Sequence, residues 1–174
     1  FFGLMIAELG LVFYLSARID KMAANTAAGL FLLYSALNGA TLSFIFLAYT
    51  GTSIASTFLV TAGMFGALAL YGTATKRSLA GIGQFAFMGL IGVLLASLVG
   101  MFWKSEGLQF VISIVGVIVF TGLTAYDAQR LKTMAVTVPE SSYGSYSVVG
   151  ALALYLDFIN LFLFMLRFLG GRRD

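Results

Sequence analysis

A chain of 174 residues that is 60% hydrophobic and 10% charged, with a mean hydropathy of +1.00, cannot cover a water-soluble domain with polar side chains, since soluble domains run at about 25% charged. Its net charge of +3 is spread over loop positions, so it reads as membrane topology and not as a nucleic-acid footprint. Cysteine and histidine are both absent, which excludes disulfides, thiolate chemistry, histidine-ligated haem, ordinary zinc sites and the usual proton switch near neutral pH.

A membrane-spanning helix needs about 20 predominantly apolar residues, and six segments qualify. Residues 1–17 form the first, closed by Arg18, Asp20 and Lys21. Nothing in it resembles a cleavable signal peptide, and an apolar run that starts at residue 1 predicts a further helix upstream. The second covers 27–49, and the turn Thr50-Gly51-Thr52-Ser53 separates it from the third, 54–71. Lys76-Arg77 closes that hairpin. The fourth covers 79–103 and exits through Lys104-Ser105-Glu106-Gly107; the fifth covers 108–131, ending at Arg130 and Lys132. A polar loop, 133–145, holds Pro139 and Glu140, and the sixth segment, 146–169, ends in Gly170-Gly171-Arg172-Arg173-Asp174. Strand barrels require alternating segments of about 10 residues. These runs are twice as long and apolar on every side, so residues 1–174 read as one all-α transmembrane domain. Most of the 20 glycines lie inside the apolar runs, where they let helices approach closely.

Loops bearing Arg18, Lys21, Lys76, Arg77, Arg130 and Lys132 alternate with loops that carry only Lys104. The first set is therefore cytoplasmic. Six spans then put both ends of the chain outside, and Arg172-Arg173 stands as a local exception to the rule.

The residues that can carry chemistry are the acids set in apolar surroundings. Asp157 lies in Leu154-Tyr155-Leu156-Asp157-Phe158-Ile159-Asn160, and helical spacing puts Gly150, Ala153, Asp157 and Asn160 on one small, polar face. An ionised Asp at a membrane centre costs roughly 2.5 kcal/mol or more. It survives by facing protein, water or an ion, as an ion or proton site or as a bond that fixes packing. Asp127 shares a face with Ser113, Gly116, Phe120 and Thr124, and sits just before Arg130 and Lys132, either of which is a candidate ion-pair partner. With the sixth helix starting near Ser147, Asp157 is deeper than Asp127 by roughly 10 Å. If the two meet, both cannot ionise cheaply, so the pair can share a proton and answer to pH without histidine. Carboxylates are also hard ligands suited to Ca²⁺. Glu8 is a further buried acid. Arg18 either snorkels to water or reaches inward to a carboxylate. Ser35, Asn38 and Thr41 form a polar stripe on the second helix that suits interhelical packing. Arg167 reads as an interfacial anchor.

The blocks Ala125-Tyr126-Asp127-Ala128-Gln129-Arg130-Leu131-Lys132, Leu154 to Phe162, and Leu166-Arg167-Phe168-Leu169-Gly170 resemble the signature of the Bax inhibitor-1, or transmembrane Bax-inhibitor-motif, family. Ser53-Ile54-Ala55-Ser56-Thr57-Phe58 through Thr75-Lys76-Arg77 is similar to its bacterial inner-membrane, YbhL-like branch. The resemblance implies a seven-helix, multi-pass protein of the bacterial inner membrane with a central last helix, the family's first helix being the one absent here. It implies a pH-sensitive passive calcium leak, with Asp127 and Asp157 as sensor and cation site. It also implies a basic residue that latches the pair, for which Arg18 is the nearest match. The implied partners are the lipid bilayer, calcium ions and protons, and other membrane proteins. No enzymatic activity or cofactor is implied, Ca²⁺ entering only as the transported ion. An intramembrane aspartyl protease is one alternative, although Tyr155-Leu156 precede Asp157 where that class has Gly-x-Gly. A non-enzymatic regulator of membrane proteases or stress factors is the other.

Overall fold

The structure, a computed structural model, describes residues 2–173. Its helices are α1 (Phe2–Arg18), α2 (Ala24–Leu42), α3 (Ile45–Ala48), α4 (Gly51–Ala74), α5 (Ala80–Phe102), α6 (Glu106–Thr137) and α7 (Tyr143–Leu169). Single 3-10 turns at Ile19–Lys21 and Glu140–Ser142 join α1 to α2 and α6 to α7. Among the described residues the one β feature is an isolated bridge between Tyr49 and Arg172. The all-α, polytopic reading therefore holds. Among the described residues, five stretches are long and apolar enough to span a bilayer. The 17 residues of α1 reach about 26 Å, a little under the hydrocarbon thickness.

Several helix ends depart from the hydropathy reading. The stretch 27–49 begins earlier, at Ala24, and its hydrogen-bond ladder tightens at Ser43–Phe44, which keep helical backbone angles and join α2 to the short α3. The Ser43 hydroxyl donates to the Ala40 carbonyl at 2.6 Å, competing with the helical ladder where α2 ends. The turn expected at Thr50-Gly51-Thr52-Ser53 is instead the cap and first turn of α4, in which the Thr50 hydroxyl accepts from the Ser53 amide at 3.3 Å. The loop expected over 133–145 shrinks to 138–142, because α6 runs on to Thr137 and α7 begins at Tyr143. Hydropathy marks the membrane edge, whereas a helix continues into water while its backbone bonds are met. At 32 residues α6 is about 48 Å long, well beyond a hydrocarbon core of about 30 Å.

α7 packs against α6, α4 and α2, and α6 packs against α7, α5 and α4, so the last two helices share the centre. Three apolar clusters hold them. One joins α5, α6 and α7 through Val93, Phe120, Leu161 and Phe164; another joins α1, α2 and α7 through Leu15, Tyr34 and Leu152. The third sets Tyr49 against Phe162 and Leu166. Two glycines make close approach possible. A Cβ on Gly72 would strike the backbone carbonyl of Ala125, and one on Gly150 would strike the Leu131 side chain. Both contacts draw a neighbour onto the segment of α6 that carries Asp127. Lys132 and Gln129 tie together the end of the bundle that carries Lys76 and Arg77. Lys132 Nζ donates to the Thr73 carbonyl near the end of α4 at 2.6 Å, and the Gln129 amide donates to the Arg77 carbonyl and accepts from the Leu79 amide, both at 2.8 Å.

Candidate functional site

Asp127 lies ten residues before the end of α6, and Asp157 lies fourteen after the start of α7, about 15 and 21 Å along the two axes. The longer helices thus reduce the axial offset to about 6 Å. The side chains meet. Both line the same groove, and their carboxyl groups are close enough to act on each other. Asp157 is buried and its Oδ2 receives no hydrogen bond from any described donor; Asp127 is half-buried. Ionised carboxylates only accept, so two of them can bond each other only when one carries a proton.

The pair lies in the wall of a groove of about 1350 Å³ between α5, α6 and α7, with Leu9 of α1 at its edge. Ala80, Tyr126 and Arg130 line its end nearest the Lys76-Arg77 loop, and Gly100, Gln109 and Arg167 its other end, so it runs nearly the full length of the bundle. Apolar side chains such as Leu90, Val93 and Phe120 form much of the wall between, with Ser97 and Asn160 as polar steps. The face predicted for α7 is partly divided. Ala153, Asp157 and Asn160 turn to the groove, while Gly150 is spent on packing against Leu131. Asn160 Nδ2 donates to the Leu156 carbonyl of its own helix at 2.8 Å. On α6, Ser113, Gly116, Phe120 and Thr124 of the Asp127 face are buried, Ser113 and Thr124 donating to the Gln109 and Phe120 carbonyls.

The structure does not bring Arg18 to the pair. It is exposed at the end of α1 and is not among the groove residues. The cation whose charge acts on Asp127 is Arg130, less than one turn further along α6. Lys132, the other candidate partner, is taken up by Thr73. Among the described residues no three or more acidic or imidazole ligands gather around one point. Two carboxylates supply only part of the roughly six to eight oxygens that Ca²⁺ takes, so any cation there would keep water or take backbone carbonyls.

Glu8 belongs to a separate network. It is buried in α1 and accepts from Asn38 Nδ2 at 3.5 Å and from the Thr41 hydroxyl, both on α2. Asn38 Oδ1 in turn accepts from the Tyr155 hydroxyl of α7 at 3.1 Å. The stripe of Asn38 and Thr41 is therefore interhelical glue, with Glu8 as its hub, while Ser35 donates to the Phe31 carbonyl of its own helix. Sequence reading did not foresee Tyr155 as the third partner. It lies two residues before Asp157, so on a helix the two side chains face different neighbours. Arg167 is exposed, stands over the Phe164 ring at 5.6 Å and is also a groove residue.

These features define a polytopic helical membrane protein with a carboxyl pair inside its bundle. All of residues 1–174 match the family described as inhibitor of apoptosis-promoting Bax1, and the chain belongs to this Bax inhibitor family. It is 58% identical over 174 residues to the inner membrane protein YbhL of Escherichia coli strain K12, covering 98% of this chain and 74% of that protein. An uncharacterized protein of Borreliella burgdorferi is 49% identical over 176 residues, covering 100% of this chain and 76% of the relative. An uncharacterized membrane protein of Streptococcus pyogenes serotype M1 is 44% identical, over 100% of this chain and 75% of its own length. The chain is a multi-pass protein of the bacterial inner membrane.

Proposed function

We propose that the chain is a passive cation leak, with Ca²⁺ as its principal ion, gated by a proton shared between Asp127 and Asp157. The observation that carries this reading is the meeting of the two carboxyl groups in the wall of a groove that runs most of the length of the bundle. With one proton on the pair, their hydrogen bond ties α6 to α7. Loss of that proton leaves two like charges; at about 4 Å and an effective dielectric of ~20, their repulsion is roughly 4 kcal/mol. That is enough to move a two-state equilibrium from mostly closed to substantially open. The same two carboxylates then face the groove as weak oxygen ligands, suited to passing a cation rather than storing it. Arg130, beside Asp127 and in the same groove wall, is the basic residue placed to act on the pair, in the position that the family resemblance gave to Arg18.

The sign of the pH dependence follows. The closed state binds one proton more than the open state, so acid favours closure and flux rises with pH. The test is Ca²⁺ entry into proteoliposomes across a pH series. Wild-type flux should rise with pH. Asp157→Asn, which keeps the shape and removes the shared proton, should give flux that no longer responds to pH. A wild-type pH profile retained in Asp157→Asn and in Asp127→Asn would overturn the reading. The facing aspartates would also suit an intramembrane aspartyl protease; cleavage of a model transmembrane substrate by wild type, abolished in both variants, would favour that instead.

A further inference from the structure

Lys104, Arg167, Arg172 and Arg173 break the positive-inside rule, since all lie at the end of the bundle opposite the Lys76-Arg77 loop. Three of the four line one pocket. It has a volume of about 570 Å³ and gathers Lys104, Arg167 and Arg172 with the polar side chains of Ser105, Gln109 and Tyr49, against the single acid Glu106. None of the three cations forms an ion pair among the described residues. The tail that supplies Arg172 is held in place. Gly171 N donates to Ser53 Oγ at 2.9 Å, Thr50 N to the Gly171 carbonyl at 3.3 Å, and Arg173 N to the Ala48 carbonyl at 3.0 Å, while Arg172 itself bridges Tyr49. The fold thus fixes a net positive charge at one point of the membrane surface, where mutual repulsion would otherwise spread it.

We propose that this pocket binds the phosphodiester headgroup of an anionic phospholipid from the outer leaflet. Two guanidinium groups and an ammonium suit phosphate oxygens, the guanidinium fork giving paired hydrogen bonds. The N-terminus of α6, capped by Ser105, opens at the same place and adds its partial positive charge. The location selects a lipid over a soluble anion. Phe102, Trp103 and Phe110 stand 87%, 71% and 55% exposed beside the pocket, an aromatic belt at headgroup level against which acyl chains can lie. Gly100, Gln109 and Arg167 belong both to this pocket and to the groove, so a bound headgroup would neutralise a mouth that otherwise repels cations. The site itself does not depend on the leak reading.

The test is thermal unfolding of the full chain in neutral detergent, with added phosphatidylglycerol, phosphatidylethanolamine or inorganic phosphate. Phosphatidylglycerol should raise Tm, and the other two should not. The shift should vanish in the double variant Lys104→Gln/Arg172→Gln, survive in the charge-keeping Lys104→Arg/Arg172→Lys, and survive in Lys76→Gln/Arg77→Gln at the opposite end. An undiminished shift in Lys104→Gln/Arg172→Gln overturns the proposal, as does an equal loss in Lys76→Gln/Arg77→Gln, which would mean diffuse charge attraction. A full shift from inorganic phosphate would also overturn it, reassigning the pocket to a small anion. Native mass spectrometry of the wild type provides a reading that needs no variant: a retained anionic phospholipid supports the site, and purely zwitterionic lipid contradicts it.

Discussion

Two acids of the same chain sit in apolar surroundings and are handled by opposite means. Glu8 is surrounded by donors: Asn38 and Thr41 both give it hydrogen bonds, and Asn38 is steadied in turn by Tyr155. Asp157 has an oxygen that no described donor reaches, and a second acid as its neighbour. A satisfied carboxyl is a fastener, whereas an unsatisfied one beside its like can change state. The contrast yields a prediction. Glu8→Leu strands the donors of Asn38 and Thr41 and should cost about 1–3 kcal/mol of stability, while Glu8→Gln keeps one acceptor and should cost less. Denaturant unfolding in detergent reads the difference. Equal costs for the two would show that the carboxyl is not the hub of its network. The pH response of flux should persist in Glu8→Gln, because Glu8 does not line the groove.

At the scale of elements, the geometry of the pair depends on how α6 is gripped. Gly72 of α4 meets backbone at Ala125, and Gly150 of α7 meets the movable end of Leu131. A leucine tip can rotate away and a carbonyl cannot. Gly72→Ala should therefore destabilise more than Gly150→Ala, with overpacking of this kind costing about 1–3 kcal/mol. Thermal unfolding ranks them, and the reverse order would contradict the packing described here. The helices and the candidate acids were legible in the sequence because long apolar runs and isolated charges are local signals. The tightened ladder at Ser43–Phe44 was not, because hydropathy does not change there. Nor was the extension of α6 to Thr137, since polar residues continue a helix as readily as they end a span. The contact between Asp127 and Asp157 depended on those unseen ends and on glycines whose partners lie on other helices. Arg18 was favoured for its position along the chain, but proximity in space belongs to Arg130, a turn from Asp127 and visible in the same motif.

For the whole molecule, gate and path are separable. The pair lies toward one end of the groove, and most of the wall between it and Arg167 is apolar. Ser97 of α5 lies in that wall, half-buried and away from both aspartates in the chain. Trp at this position fills the groove without touching a titrating group. If the groove is the path, Ser97→Trp should lower Ca²⁺ flux at every pH, and the remaining flux should rise with pH as in wild type. Asp157→Asn should do the converse, removing the pH response. Proteoliposome flux over the same pH series compares the two directly. Undiminished flux in a stably folded Ser97→Trp would move the path elsewhere in the bundle while leaving the aspartate gate standing. Loss of the pH response in Ser97→Trp would instead mean that closure of the groove and protonation of the pair are one event, with α5 moving together with α6 and α7.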